Sequence, residues 1–175
     1  AMAPFYEALP FSLTGAQRRA IDAATEDMCG TRPMNRLCQG DVGSGKTMVA
    51  AACIYFAVKN GYQAAMMAPT ELLAQQHYRS LAPLLEGLGV RCAQLTGSLR
   101  AKEKKHIHEQ LATGELDFVV GTQALIAKDV AFSSLGLVIA DEQHRFGVAQ
   151  RSALSAKAEN PHILVMSATP IPRTL

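Results

Sequence analysis

Residues Gly40-Asp41-Val42-Gly43-Ser44-Gly45-Lys46-Thr47 fill every fixed position of the eight-residue pattern GxxxxGK[ST]. Glycines at 40, 43 and 45 let the backbone curl so that successive N–H groups point inward. Lys46 adds a cation, and the Thr47 hydroxyl is placed for a Mg²⁺ ion. Ahead of the octet, Asn35-Arg36-Leu37-Cys38-Gln39 reads as a short strand, and residues 47–58 after it read as a helix. A phosphate chain held at that junction would meet free N–H groups and the positive end of a helix dipole. The plainer alternative is a glycine-rich turn with an exposed lysine, and the strand and helix in the right order argue against it.

From the octet onward strands alternate with helices. Residues 63–68, 90–95, 118–121, 135–140 and 162–166 read as strands, residues 71–85 and 100–112 as helices, with a short helix near Ala124. Runs such as Ala64-Ala65-Met66-Met67, Leu137-Val138-Ile139-Ala140 and Ile163-Leu164-Val165-Met166 are apolar on both faces, as strands buried on both sides are. The alternation predicts an α/β fold, a mainly parallel sheet with helices on both faces and sites at the carboxyl ends of its strands. The helix after the octet is apolar nearly all round, from Val49 through Ile54 and Phe56 to Val58, and belongs in the interior. On the next helix Ala74, Tyr78, Leu81 and Leu85 form one stripe, and Pro83 is expected to kink or shorten the last turn. Upstream, residues 12–28 read as a helix capped by Ser12 or Thr14, and 29–33 as a turn. Pro170 and Pro172 predict an extended exit.

The 175 residues, 49% of them hydrophobic, suit one well-buried domain spanning 1–175. A net charge of +2 permits nucleic-acid contact through a local patch without arguing for it. The four cysteines, Cys29, Cys38, Cys53 and Cys92, form no CxxC pair and read as reduced structural thiols of a cytosolic protein. No apolar run approaches the roughly 18 residues of a membrane span. Ala1-Met2-Ala3 lacks the basic start of a signal peptide and reads as a tag remnant.

A phosphate loop needs a carboxylate to hold Mg²⁺, and the end of an apolar strand usually supplies it. Leu137-Val138-Ile139-Ala140-Asp141-Glu142 does so: Asp141 is the expected metal-side group, and Glu142 is placed to orient or deprotonate an attacking water. A solvated Asp-Glu turn is the alternative for these two residues taken alone. Adjacent carboxylates suit hydrolysis better than transfer to a small acceptor, so the pair predicts an NTPase.

With Gln143-His144 and Ser167-Ala168-Thr169 added, the chain resembles the superfamily 2 helicases and translocases, its motifs falling in their chain order. Ala68-Pro69-Thr70-Glu71-Leu72 is similar to their first DNA-contacting motif, and Leu95-Thr96-Gly97 and Val120-Gly121-Thr122-Gln123 to the next two. The string from Asp141 to Val148, with Met34-Asn35-Arg36-Leu37 and Thr14-Gly15-Ala16-Gln17-Arg18-Arg19, resembles specifically the RecG family of bacterial branched-DNA helicases. The transcription-repair coupling translocases are the rival family, and Gln143 stands where they usually carry Glu. The resemblance runs from about Leu9 to Leu175 and implies the first of two RecA-like P-loop motor domains. The wedge domain and the second motor domain, with its arginine finger, would lie outside the chain. It further implies ATP and Mg²⁺ as cofactors, forks and junctions of duplex DNA as partners, roles in repair and recombination, and a bacterial cytoplasmic, nucleoid-associated location.

Residue by residue, the resemblance implies that Gln17 reads the adenine edge, with Phe11 or Leu13 packed on the ring. Otherwise Gln17 is an exposed helix residue. Gly40, Gly43, Ser44, Gly45 and Lys46 would cradle the phosphates, Thr47 and Asp141 the Mg²⁺, and Glu142 the water. Gln143 and His144 would connect the γ-phosphate to Ser167 and Thr169, with a hydrogen-bonded structural spacer as the lesser alternative for His144. Pro69, Thr70, Thr96, Gly97, Gly121 and Thr122 would contact DNA phosphates, and helix capping explains the threonines almost as well. Arg100, Lys102, Lys104 and Lys105 read as a solvated face or, less directly, a duplex-tracking surface. His106 and His108 fall on different sides of a helix and are not expected to bind a metal together. A GTPase is disfavoured because the chain has no Asn-Lys-x-Asp string. A nucleotide-gated DNA-binding module without turnover stays open.

Overall fold

The computed structural model describes residues 3–8, 15–30, 35–39, 46–141, 148–158 and 161–167. The strands are β1 (Asn35–Gln39), β2 (Gln63–Met67), β3 (Cys92–Leu95), β4 (Phe118–Gly121), β5 (Leu135–Asp141) and β6 (His162–Ser167). They form one sheet in the order β1-β6-β5-β2-β4-β3. Every pairing is parallel. The helices are α1 (Ala3–Ala8), α2 (Gly15–Cys29), α3 (Lys46–Lys59), α4 (Glu71–Gly87), α5 (Ala101–Thr113) and α6 (Val148–Ser155), with a 3₁₀ turn at Gln123–Ile126.

Alternate residues of the strands feed two cores. On one face Ala64, Met66 and Ile139 pack with Ile21 of α2, Ile54 of α3 and Leu81 and Leu85 of α4. On the other, Ala65, Met67 and Val138 pack with Leu111 of α5, Leu125 and Leu154 of α6. Helices therefore cover both faces, as apolar strands without polar alternation require. As its composition predicts, α3 is the central helix, with Val49 through Tyr55 all buried.

Two helices depart from the expected pattern. The segment Ala3–Ala8 is helical although too short to show a periodicity. Phe5 holds it from outside, fully buried with its ring 6.1 Å from that of Tyr55. Residues 148–155 form α6, anchored by the buried Leu154. Pro83 does not shorten α4, which continues to Gly87. Pro83 and Arg79 both lie on the exposed face, where water can take the Arg79 carbonyl that loses its helical donor. The helix ends about one turn later, beyond which the Val90 N–H donates to the Leu85 carbonyl and Gly89 takes a φ of 88°.

Candidate functional site

Register brings the motifs to one edge. Gln39 pairs with Ser167, Met166 with Asp141, Ala140 with Met67, Met67 with Gly121, and Gly121 with Leu95. The strands β1, β6, β5, β2, β4 and β3 thus end side by side at one carboxyl edge, at Gln39, Ser167, Asp141, Met67, Gly121 and Leu95 in turn. Strand ends up to 128 positions apart in sequence, Gln39 and Ser167, become neighbours along a single row.

The nucleotide half of that row is built on β1, β6 and β5. Lys46 opens α3 and Thr47 follows it, half-buried in the first turn, so the octet leads from a strand end into a helix N-terminus. Asp141 ends β5 with 3% of its surface exposed. Its Oδ2 lies 2.6 Å from His77 Nε2, on α4. An ionised carboxylate only accepts, so with Asp141 ionised the imidazole Nε2–H donates. Among the described residues no group of three or more His, Cys, Asp or Glu side chains is placed to hold a metal. One carboxylate and one hydroxyl nevertheless fit Mg²⁺, a hard cation that takes few protein oxygens when phosphates and water complete its shell. Gln17 is half-buried in the first turn of α2. Phe11, Leu13, residues 40–45, Glu142, Gln143, His144 and Thr169 lie outside the described residues, as do the side chains of Lys46 and Ser167.

The other half, on β2, β4 and β3, holds the six residues expected at DNA. Thr70 is exposed and caps α4, its hydroxyl accepting the Leu73 N–H at 3.2 Å. Pro69 and Thr122 are half-buried, and Thr122 makes no side-chain cap bond. Capping therefore accounts for Thr70 and leaves Thr122 without that explanation. Gly97 is exposed, whereas Thr96 is buried with its hydroxyl 3.3 Å from that of Ser98. Gly121 is also buried, and a Cβ there would collide with the Leu95 carbonyl oxygen, so the close approach of β3 and β4 demands glycine. Glu71, which the motif reading passed over, accepts the Ser98 N–H at 3.0 Å and ties the loop after β3 to the start of α4.

Features outside the row do not join it. Arg100, Lys102 and Lys105 are exposed at the start of α5 and Lys104 half-buried. His106 is exposed, while His108 Nδ1 lies 3.6 Å from Asp129, so the two histidines diverge as their spacing predicts. Among the described residues Cys29, Cys53 and Cys92 form no disulfide. Burial pushes the Cys92 thiol up to about 12, which makes it a poor nucleophile. A cavity of about 850 Å³ lined by Phe56, Tyr62, Gly136 and His162 opens at the amino ends of β5 and β6, the edge opposite the motifs.

His77 is the residue sequence reasoning missed. It sits three residues after Ala74 and four before Leu81, on the apolar stripe of α4. A histidine on such a stripe is a detectable signal, but its partner lies 64 positions away.

Comparison with known proteins follows the same geometry. The chain is 55% identical over 171 residues to the ATP-dependent DNA helicase RecG of Bacillus subtilis, covering 98% of this chain and 25% of the relative. It is 54% identical to the ATP-dependent DNA helicase RecG of Synechocystis, covering 98% of this chain and 21% of that one. It therefore spans about a quarter of the length of the curated relatives it matches. The solved structure of RecG bound to a three-way DNA junction superposes with a TM-score of 0.82 at 48% identity, covering 97% of this chain and 23% of that chain. No helix among the described residues is long and apolar enough to cross a membrane. The DEAD/DEAH box helicase profile matches residues 14–175, and the chain belongs to that family.

Proposed function

We propose that this chain is the ATP-binding motor domain of a RecG-like DNA helicase that remodels forks and junctions in repair and recombination. The observation that carries the reading is the single edge on which the octet, Asp141, Ser167 and the motifs after β2, β3 and β4 converge. Its identity to relatives named as ATP-dependent DNA helicases, and its likeness to one solved on a DNA junction, support ATP and branched DNA as the partners.

In this reading Lys46 and the N–H groups of residues 40–45 bind the β and γ phosphates, and Gln17 selects adenine. Thr47 and Asp141 would hold Mg²⁺, which would supply positive charge against the negative charge that develops on the transferred phosphoryl group. Glu142 orients the attacking water and takes its proton, and Gln143 and His144 connect that event to Ser167 and Thr169. Pro69, Thr70, Gly97 and Thr122 offer short side chains and backbone N–H groups to phosphates, which positions a strand without reading its sequence. Thr96 and Gly121, being buried, contribute by shaping that edge.

A lone first motor domain presents half of a nucleotide cleft, and a transition-state arginine from a second domain is worth about 10³ to 10⁵ in rate. Hydrolysis by this chain is therefore expected near background, with or without a synthetic fork, and restored on adding a second motor domain. Rapid, DNA-stimulated turnover by the monomeric chain alone would overturn the half-site reading. Nucleotide-gated DNA binding that is indifferent to Glu142→Gln, even with the second domain present, would favour a binding module instead.

A further inference from the structure

We infer that His77 is a positioning residue for Asp141, holding one carboxylate oxygen and so fixing the carboxylate's orientation for Mg²⁺–nucleotide. The inference rests on the reading of Asp141 as the metal-side group.

Asp141 is nearly without solvent, and among the described residues its side-chain partner is His77, whose Nε2 lies 2.6 Å from Oδ2. A buried carboxylate lacking any partner is costly, so this bond holds one rotamer of Asp141 before any ion arrives. Mg²⁺ demands near-ideal geometry, and a carboxylate already oriented loses less freedom on binding it. Partners that orient a metal-binding group in this way typically change metal affinity or activity by about 10- to 100-fold when removed.

The position of His77 adds a second consequence. It projects from α4, whose first residue is Glu71 and whose cap is Thr70, both on the half of the edge assigned to DNA. Glu71 in turn holds the Ser98 N–H. One rigid helix thus links the metal-side carboxylate on β5 to the loops after β2 and β3. A shift of α4 when DNA binds at its N-terminus would be felt at Asp141 through this hydrogen bond.

The test is the Mg²⁺ concentration that half-saturates binding of a fluorescent ADP analogue to this chain, for wild type, His77→Leu, His77→Gln and Asp141→Asn. The expected result is a rise of about tenfold or more in His77→Leu, with binding in EDTA unchanged. His77→Gln, which keeps a donor near the Nε2 position, recovers most of the loss. A purely structural His77 would lower the melting temperature in both variants without moving the Mg²⁺ requirement, and that result overturns the proposal. So does a lower requirement in His77→Leu.

Asp141→Asn separates the proposal from the reading beneath it. If Asp141→Asn raises the requirement and His77→Leu does not, only the role of His77 fails. If neither does, the assignment of Asp141 fails and the proposal with it. Should His77→Leu not fold, the wild-type chain with ¹⁵N-labelled histidine decides, the His77 signals being assigned by their loss in His77→Gln. The proposal requires its ring-nitrogen resonances to move when Mg²⁺ is added to the ADP-loaded chain, and their indifference overturns it.

Discussion

At the amino ends of the strands Gln63 is buried and its amide is fully engaged. It donates to the Leu111 and Leu116 carbonyls at 3.0 and 2.8 Å and accepts the Ser134 N–H at 2.9 Å. Close by, Arg91 grips both oxygens of Asp117 at 3.0 Å and the Gly114 carbonyl at 3.0 Å. At the carboxyl ends, among the described residues, His77 Nε2 lies against one oxygen of Asp141 and Glu71 accepts the Ser98 N–H. One end of the sheet uses its polar side chains to close the fold. The other uses them to set a strand-end carboxylate and a loop along the edge proposed to meet ligands. Substitutions at the first end should cost stability, and at the second, function.

The largest effect belongs to Asp141→Asn. With a second motor domain present, ATP hydrolysis is expected to fall at least about 10²-fold, the scale of losing one preorganised electrostatic group. The amide can still bond to His77, so the melting temperature should move little. A large melting shift would break the comparison. Gln63→Leu is the counterpart at the amino edge. It removes the side-chain partner of the Leu116 carbonyl and of the Ser134 N–H, while the Leu111 carbonyl keeps the Ser133 N–H, and a loss of about 2–4 kcal/mol is expected in urea unfolding, with nucleotide affinity per folded molecule unchanged.

Gly121→Ala probes the border between the two roles. Its methyl would press on the Leu95 backbone, costing about 1–3 kcal/mol, and DNA affinity should fall only as far as the loop after β3 is displaced. Thr70→Ala removes a helix cap and should cost about 1 kcal/mol. If the DNA affinity of the assembled motor also falls, with the salt slope unchanged because an uncharged hydroxyl displaces no counterion, Thr70 touches a phosphate besides capping α4.

The smallest effect is a pH dependence at the amino edge. Burial lowers the His162 pKa below its ordinary 6.5, with Asp27 pulling the other way. The folded state therefore resists charging this ring. Its contribution to stability is full above about pH 6.5 and is lost as the pH falls from there through the lowered folded value. His162→Gln should flatten that part of a stability-against-pH curve while leaving nucleotide binding alone.

Local chemistry made much of this legible in the sequence. β1 and β4 have the bounds read from the sequence, and the nearly all-apolar α3 is the central helix. The octet and the strand ending in Asp141 point to a nucleotide half because their chemistry is carried by adjacent residues. Strand order was not legible, since β1 sits beside β6 and not beside β2. α1 and α6 were missed because so short a helix is held by a single buried contact, from Phe5 or Leu154, and not by its own periodicity. His77 escaped for a related reason: histidine on an apolar stripe gains its meaning only from a carboxylate that the parallel sheet brings under the helix. Burial likewise separated Thr96 and Gly121 from Thr70 and Gly97, a distinction that three similar strand-exit motifs could not show.

The most direct measurement is calorimetric titration of ATP with Mg²⁺ into this chain, beside GTP and beside Lys46→Ala. ATP is expected to bind, GTP more weakly, and Lys46→Ala to lose most of the heat while melting like the wild type. Equal binding of ATP by Lys46→Ala, or equal affinity for GTP, would contradict the assignment of this edge as the phosphate- and adenine-reading half of an ATP-driven motor.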